Sequence, residues 1–445
     1  MKLTKYMFFV PTKRTGKYAL YNSFNNIFAI IDDELKDVLE SGDFSRLPQQ
    51  FVDSLKGGKF IREDHEDELK MLQYMKTTLK FSAWKTEFYI MPTFACNLSC
   101  PSCRSGEKTM SLKTVENTLE AVKKEAKDRY STHLWTFILG GEPLLEADIT
   151  LRLSQGLAEW AQKEQVLFNN CLITNGTLLT EDILDKFVPY VTSMQVTLEG
   201  PRSYHDTVRV YKDGTPTFDH IIDGLMLLKK HNIHTIINVP IRKENCTLVP
   251  ELIEYLKEKG IYEGGIMHVR LFLSENRINN VCFSYSPLCN EGREDAVLMM
   301  DVWEEAWKRG FRATAKPTQT PYCSCIKDGA YTIDPEGNVY KCIAMVGNPD
   351  ERAAVLEDGT ISSKNHTFYD LMSRDATKMT ECSQCKYLPL CAGGCPLRAK
   401  PLHDSYHGPD CGLRKSLFDK RIELFLRFKY PEHFGADEGT QTPNV

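Results

Sequence analysis

The sequence predicts an α/β fold: a partial (β/α)6 barrel of TIM-like type, preceded by a winged-helix module and followed by a cysteine-rich domain held together by metal. Three observations carry this. From about residue 86 apolar strands alternate with amphipathic helices, the first 85 residues read as strands, two helices and a wing, and past residue 311 Gly, Pro and Cys rise while helical periodicity stops.

The amino-terminal zone, residues 1–85, opens with the β-like runs "KYMFFV", "YALYN" and "IFAIID", broken by Gly and Asn turn signals. Helical stretches at "DDELKDVLE" and "LPQQFVDSL" and the wing "GGKFIRE" complete the winged-helix pattern. Residues 86–310 hold the strand–helix units, from "EFYIMPT" with "LKTVENTLEAVKKEAKD" to "IMHVRLFL" with "REDAVLMMDVWEEAWKR". In such barrels the chemistry gathers on loops at the carboxyl ends of the strands, the address of the cysteine loop after the first strand, "GGEP" after the second, "TNGT" after the third and "EGP" after the fourth. Residues 311–430 have little regular periodicity apart from "KSLFDKRIELFLRF", and many cysteines in such a region point to metal. Residues 431–445 are a polar tail with the composition of a disordered segment.

At 445 residues, 42% hydrophobic and 26% charged, the chain can build sizeable cores. A net charge of −5 spread along the chain argues against a nucleic-acid groove, and no apolar run approaches a membrane span or a signal peptide. The reading is a cytoplasmic protein with neither nucleic acid nor membrane as partner. In that reducing compartment the 15 cysteines are not a disulfide framework, so their spacing points to metal or catalysis. Cys171, Cys246, Cys282 and Cys289 stand alone and read as small buried hydrophobes.

"PTFACNLSCPSCRS" places Cys96, Cys100 and Cys103 in the spacing C-x-x-x-C-x-x-C. Three thiolates hold three irons of a [4Fe-4S] cube and leave the fourth with an exchangeable position, whereas a structural zinc knuckle closes with four ligands. The stretch resembles the signature of the radical S-adenosylmethionine enzymes. That resemblance implies S-adenosylmethionine on the fourth iron and an electron from an external one-electron reductant that yields a 5′-deoxyadenosyl radical. Ser102 departs from the family, which usually has an aromatic residue there.

Further stretches resemble the same family. "GGEP" (Gly140, Gly141, Glu142, Pro143) matches its second-strand motif, whose exposed backbone and carboxylate hold the cofactor's ammonium group. "TNGT", with Thr174 and Asn175, "QVTLEGP", with Gln195 and Thr197, and "HDTVR" match the third- and fourth-strand stretches. The resemblance puts Thr197 toward the ribose, Arg209 toward the cofactor carboxylate, and Asn238 after the fifth strand. Glu199 stands where the family more often has Asp, and Glu199 and Arg209 are the catalytic candidates. Strand-end caps and surface ion pairs use the same residue types, so the bland reading stays beside this one.

"CSQCKYLPLCAGGC" (Cys382, Cys385, Cys391, Cys395), with "CSCIKDGAYTIDPEGNVYKC" upstream and Cys411 downstream, resembles the SPASM extension behind radical S-adenosylmethionine domains that modify peptides and proteins. The resemblance implies two more [4Fe-4S] clusters, three in all. Cys382, Cys385, Cys391 and Cys411 would bind the distal one, and Cys342 and Cys395 with Cys325 and Cys323 the nearer one. C-x-C is a tight bite for one cube, so ligation by both Cys323 and Cys325 and ligation by one of them are both left open. Two zinc ribbons would use the same eight thiolates. The implied function is a peptide maturase whose amino-terminal element binds the leader of a ribosomally made precursor peptide. It would crosslink that peptide oxidatively, joining a cysteine sulfur to carbon. The alternatives are C–C or C–O crosslinking, oxidation of one side chain as in sulfatase-maturing relatives, and a non-catalytic iron–sulfur protein that binds a peptide.

Overall fold

The computed structural model describes residues 1–101, 103, 106–261, 266–273, 293–310, 323–411 and 414–434. Ser102, Cys282, Cys289 and the tail from residue 435 lie outside the described residues. The chain divides into two compact units: residues 1–79 and 323 with 374–434, and residues 80–310 with 324–373.

The first unit begins with β1 (Lys2–Leu3), β2 (Met7–Pro11), β3 (Lys17–Asn22) and β4 (Ile27–Asp32). α1 (Asp33–Ser41), α2 (Gln49–Gly57), β5 (Ile61–Arg62) and α3 (Glu68–Lys80) follow. β2, β3 and β4 form an antiparallel meander, and β5 pairs with β1. α1 starts where the Asp32 carboxylate accepts from the Leu35 N–H and stops at Gly42 in the left-handed region. α3 is absent from the sequence expectation above.

The second unit is one ten-stranded sheet. Its parallel part runs β6 (Lys85–Ile90), β7 (His133–Ile138), β8 (Leu167–Thr174), β9 (Ser193–Thr197), β10 (Thr235–Ile241) and β11 (Met267–Leu273), paired in chain order. The helices between them are α4 (Leu112–Asp128), α5 (Ala147–Lys163), α6 (Glu181–Phe187), α7 (Arg202–Val208), α8 (Phe218–Lys230) and α9 (Val249–Glu258); α10 (Arg293–Lys308) follows β11. The sheet stays open at β11 among the described residues. Its period of two separates the faces: Leu134, Thr136 and Ile138 are buried, while Trp135 and Phe137 on the other face are partly accessible.

The region past residue 311 holds more regular structure than expected. β12 (Ala330–Ile333) adds to the sheet beside β6 and parallel to it, and β13 (Asn338–Tyr340), β14 (Ala354–Glu357) and β15 (Thr360–Ser362) extend it antiparallel, before α11 (His366–Ser373). Strands of three or four residues are too short to show a period, and pairing with β6 decides them.

The first unit resumes with the short α12 (Thr380–Ser383), α13 (Leu388–Cys391) and α14 (Pro396–His403), then α15 (Arg414–Lys429) and α16 (Pro431–Phe434). Met7, Leu20, Ile31, Leu39, Val52, Leu55 and Ile61 form a core within the first 62 residues. A second core joins Phe8, Ala19 and Tyr21 to Tyr387, Leu390, Phe418, Ile422 and Leu426, and a third joins Tyr6, Phe24 and Leu72 to Met379, Cys382 and Leu388. The meander is therefore packed on both faces, and the amino-terminal segment shares its burial with the carboxyl-terminal one. No described helix is long and apolar enough to cross a membrane.

Candidate active site

A cavity of about 240 Å³ opens at the carboxyl ends of the parallel strands. It is lined by Cys96, Cys100 and Cys103 together with Gly140, Gly141, Thr174, Asn175, Gln195, Thr197, Glu199, Arg209 and Asn238. Residues far apart in sequence converge because most follow, or end, a strand of one parallel sheet; Gln195 and Asn238 lie within β9 and β10, so Asn238 is not after the fifth strand as expected but inside it.

The cysteine loop is held by backbone. The Gly141 and Glu142 N–H groups donate to the carbonyls of Thr93 (3.0 Å) and Ala95 (2.7 Å). A Cβ on Gly140 would stand 2.2 Å from the Thr93 oxygen, and one on Gly141 2.1 Å from that of Ala95. Only glycine lets the two loops lie this close, so the paired glycines fix the cysteine loop as well as line the cavity. On the other side Ser99 N–H donates to Val210 O (2.8 Å) and Lys212 N–H to Asn97 O (3.2 Å).

Glu142 is fully buried, and Pro143 is buried beside it. The Glu142 carboxylate accepts from Leu144 N–H (3.0 Å), Thr174 Oγ1–H (2.8 Å) and Asn175 N–H (2.6 Å). Burial pushes its pKa up against the pull of those donors. The structure thus spends this carboxylate on joining the loops after β7 and β8. Asn175 continues the brace, its amide donating to Asn97 Oδ1 (2.8 Å) and accepting from Thr177 N–H (2.9 Å).

"HDTVR" places an arginine under the thiols. His205, fully buried, accepts the Glu199 N–H at Nδ1 (3.2 Å) and meets Thr217 Oγ1 at Nε2 (3.1 Å), and Thr217 Oγ1–H donates to Arg209 O. Nδ1 is an acceptor here, so the neutral ring carries its proton on Nε2. Glu199 then pairs with Arg209 (3.4 Å) and with Arg242. Burial pulls Arg209 down, but the thiols of Cys100, Cys103 and Cys96 and the Glu199 carboxylate outweigh it, so the guanidinium stays charged. Burial also raises the Cys100 thiol, with Arg209 opposing.

Burial and the Arg209 charge lower the His205 pKa to about 3. Between about pH 6.5 and that value the unfolded chain takes up a proton and the folded one does not, so stability falls as pH falls, by about 1.4 kcal/mol per pH unit. The melting temperature of the wild type is therefore expected to drop more from pH 7 to pH 5 than that of His205→Asn; equal drops would refute it.

Three of the lining residues carry polar atoms without a protein partner: Asn238 Oδ1, Arg209 Nε and Arg242 Nε are buried and unbonded among the described residues. Buried polar atoms are nearly always bonded, so these groups fit a polar ligand. Tyr89, Phe137, Arg242, Arg270 and Ile343 also line the cavity and were not singled out from the sequence. For Arg242 the available signal was its address, directly after β10.

Among the described residues no three His, Cys, Asp or Glu side chains form a metal-holding group, so the fit to a cluster rests on donor chemistry. Three thiols in one cavity beside two arginines suit a cluster with an open iron. Residues 90–256 match the radical SAM superfamily. That stretch of the chain is similar to the radical SAM domain. The match implies one [4Fe-4S] cluster and S-adenosylmethionine, and the chain is an oxidoreductase-type enzyme. It is 24% identical over 362 residues to a cysteine-type anaerobic sulfatase-maturating enzyme of Clostridium perfringens, covering 76% of this chain and 94% of that one. Its fold resembles native anSMEcpe with bound AdoMet (TM-score 0.56, 21% identity, 78% of this chain and 97% of the other). It also resembles Streptococcus suis SuiB bound to precursor peptide SuiA (TM-score 0.54, 16% identity, 92% and 99%).

The remaining predicted cysteines fall outside this cavity. Burial first, then the neighbouring thiols of Cys411, Cys391 and Cys385, push the Cys382 thiol up to about 11, so these four lie together in the first unit. Cys325 (buried) and Cys342 (half-buried) belong to the sheet unit, and Cys323 (exposed) and Cys395 (half-buried) to the first. Cys171 and Cys246 are buried.

Proposed function

We propose that this enzyme is a maturase that oxidatively crosslinks a ribosomally made precursor peptide, joining a cysteine sulfur to an unactivated carbon. The observation that carries the reading is the cavity lined together by three thiols and by residues that hold unbonded buried polar atoms. When bound, the cluster and S-adenosylmethionine supply a 5′-deoxyadenosyl radical that removes a hydrogen atom from carbon. Cys96, Cys100 and Cys103 would hold the cluster. Arg209 and Asn238 would orient the methionine carboxylate and neighbouring polar groups, and Gln195 and Thr197 would face the ribose, while Glu199 keeps Arg209 and Arg242 in place. Thioether closure releases a proton and one electron, which needs a one-electron acceptor of iron–sulfur type. Cys342 and Cys395 with Cys325 and Cys323, and the group of Cys382, Cys385, Cys391 and Cys411, are the proposed ligands of two such clusters.

The peptide substrate is supported by the fold likeness to SuiB, which extends over 92% of this chain against 78% for anSMEcpe. The amino-terminal strands and helices would be the leader-binding winged-helix element. The likeness to a sulfatase-maturating enzyme favours a second reading, oxidation of one side chain of a protein.

A short cysteine-rich peptide encoded beside this gene, incubated with the reconstituted enzyme, is expected to become lighter by about two mass units per crosslink. Alkylation should detect one thiol fewer for each. A product of that mass with every thiol still alkylatable would replace the thioether by a C–C or C–O bond, and a change confined to one residue on fragmentation would favour side-chain oxidation.

A further inference from the structure

α3 brings a buried lysine to the four-cysteine group of its own unit. Leu72 and Lys76, one turn apart, share a face, and Leu72 packs with Cys382, Met379 and Leu388. Gln73 Nε2–H donates to Asp375 Oδ2 (3.1 Å), which fixes the rotation of the helix. Lys76 is 5% exposed, and its Nζ donates to Pro389 O at 3.2 Å, two residues before Cys391. Burial pulls its pKa down to about 8, and the neighbour that opposes this is Cys391. A second cation, Arg374, is buried on the same group: it donates to Tyr406 O (2.6 Å) and Gly393 O (2.7 Å) and draws the Cys382 thiol down.

A buried ammonium is costly unless an opposite charge stands near it. Four thiolates around a cube supply that charge, and the cube's negative charge grows by one when it is reduced. A cation held beside it favours the reduced form and raises the potential. Arg374 is tied to the loops around the cysteines, whereas Lys76 comes from the amino-terminal segment.

We propose that Lys76 is a positioning residue for an iron–sulfur cluster on Cys382, Cys385, Cys391 and Cys411, a cation supplied by the amino-terminal segment that raises the cluster's reduction potential. The inference rests on reading these four cysteines as one cluster site. It makes the proposed leader-binding segment part of the redox apparatus, so that its removal would strip the cluster of a wall and a charge together.

The test uses full-length, anaerobically reconstituted protein carrying Cys96→Ala, Cys100→Ala and Cys103→Ala, so that the loop cluster does not overlap the signals. The signal of interest is the paramagnetic resonance of the reduced protein that disappears when Cys382→Ala and Cys385→Ala are added. If none disappears, the reading of the four cysteines fails, whatever Lys76 does. If one does, Lys76→Gln, which keeps a donor for Pro389 O and drops the charge, is expected to keep the iron and the signal. Its reduction equilibrium should move toward the oxidised form about tenfold, 59 mV for a one-electron couple, with Lys76→Arg close to the wild type. An unchanged midpoint in Lys76→Gln overturns the proposal. So does loss of the cluster in Lys76→Gln with its retention in Lys76→Arg, which would assign the charge to holding the cluster, and loss in both, which would make the residue structural.

Discussion

Replacing Cys96, Cys100 and Cys103 together with Ala is expected to lower bound iron by about four atoms per chain and to abolish 5′-deoxyadenosine formation after reduction. The three thiols line one cavity, and the loop that carries them is fixed by backbone bonds to Thr93, Ala95, Asn97 and Ser99 that the substitutions leave in place. The variant should therefore fold, and the loss reports ligation. The remaining iron would belong to the downstream cysteines. If the triple variant still makes 5′-deoxyadenosine, this loop does not hold the reacting cluster.

Cys342→Ala is expected to keep cleavage of S-adenosylmethionine and to stop crosslinking, a loss of product of at least about a hundredfold at unchanged 5′-deoxyadenosine yield. Cys342 sits immediately before Ile343, which lines the cavity, and its thiol bears on Tyr89, another lining residue. A cluster ligated there would adjoin the wall of the cavity. The readout is the ratio of crosslinked peptide to 5′-deoxyadenosine by liquid chromatography and mass spectrometry. Loss of both would place Cys342 in the folding of the cavity wall, and loss of neither would remove it from the reaction.

Much of the barrel was legible because its strands are apolar runs and its helices carry one buried face. β6 to β11 and α4, α5, α6, α8, α9 and α10 each coincide with a predicted strand or helix, whereas the seven-residue α7 was not expected. α3 was not legible: it begins in the charged run "HEDELK", and its buried face includes Lys76, whose burial depends on residues more than 300 positions away. β12 escaped for a related reason, since four residues become a strand only beside β6.

The candidate site divides in the same way. Local spacing suffices for ligands on one loop, so Cys96, Cys100 and Cys103 could be found by reading along the chain. "GGEP" could be found too, but its geometry could not: the glycines are required by the approach of Thr93 and Ala95, and Glu142 is bonded to residues after the next strand. Arg242 reaches the cavity through its pairing with Glu199, 43 positions earlier. Sequence by itself determined the order of strands, the three-thiol loop and the strand-end address of the motifs, because these rest on periodicity and on contacts within a few residues. Tertiary structure alone decided which polar groups are spent on bracing the loops, which remain unbonded toward the cavity, and which buried cation stands beside the four downstream cysteines. Those outcomes depend on burial and on partners distant in the chain, and neither is a property of any local stretch.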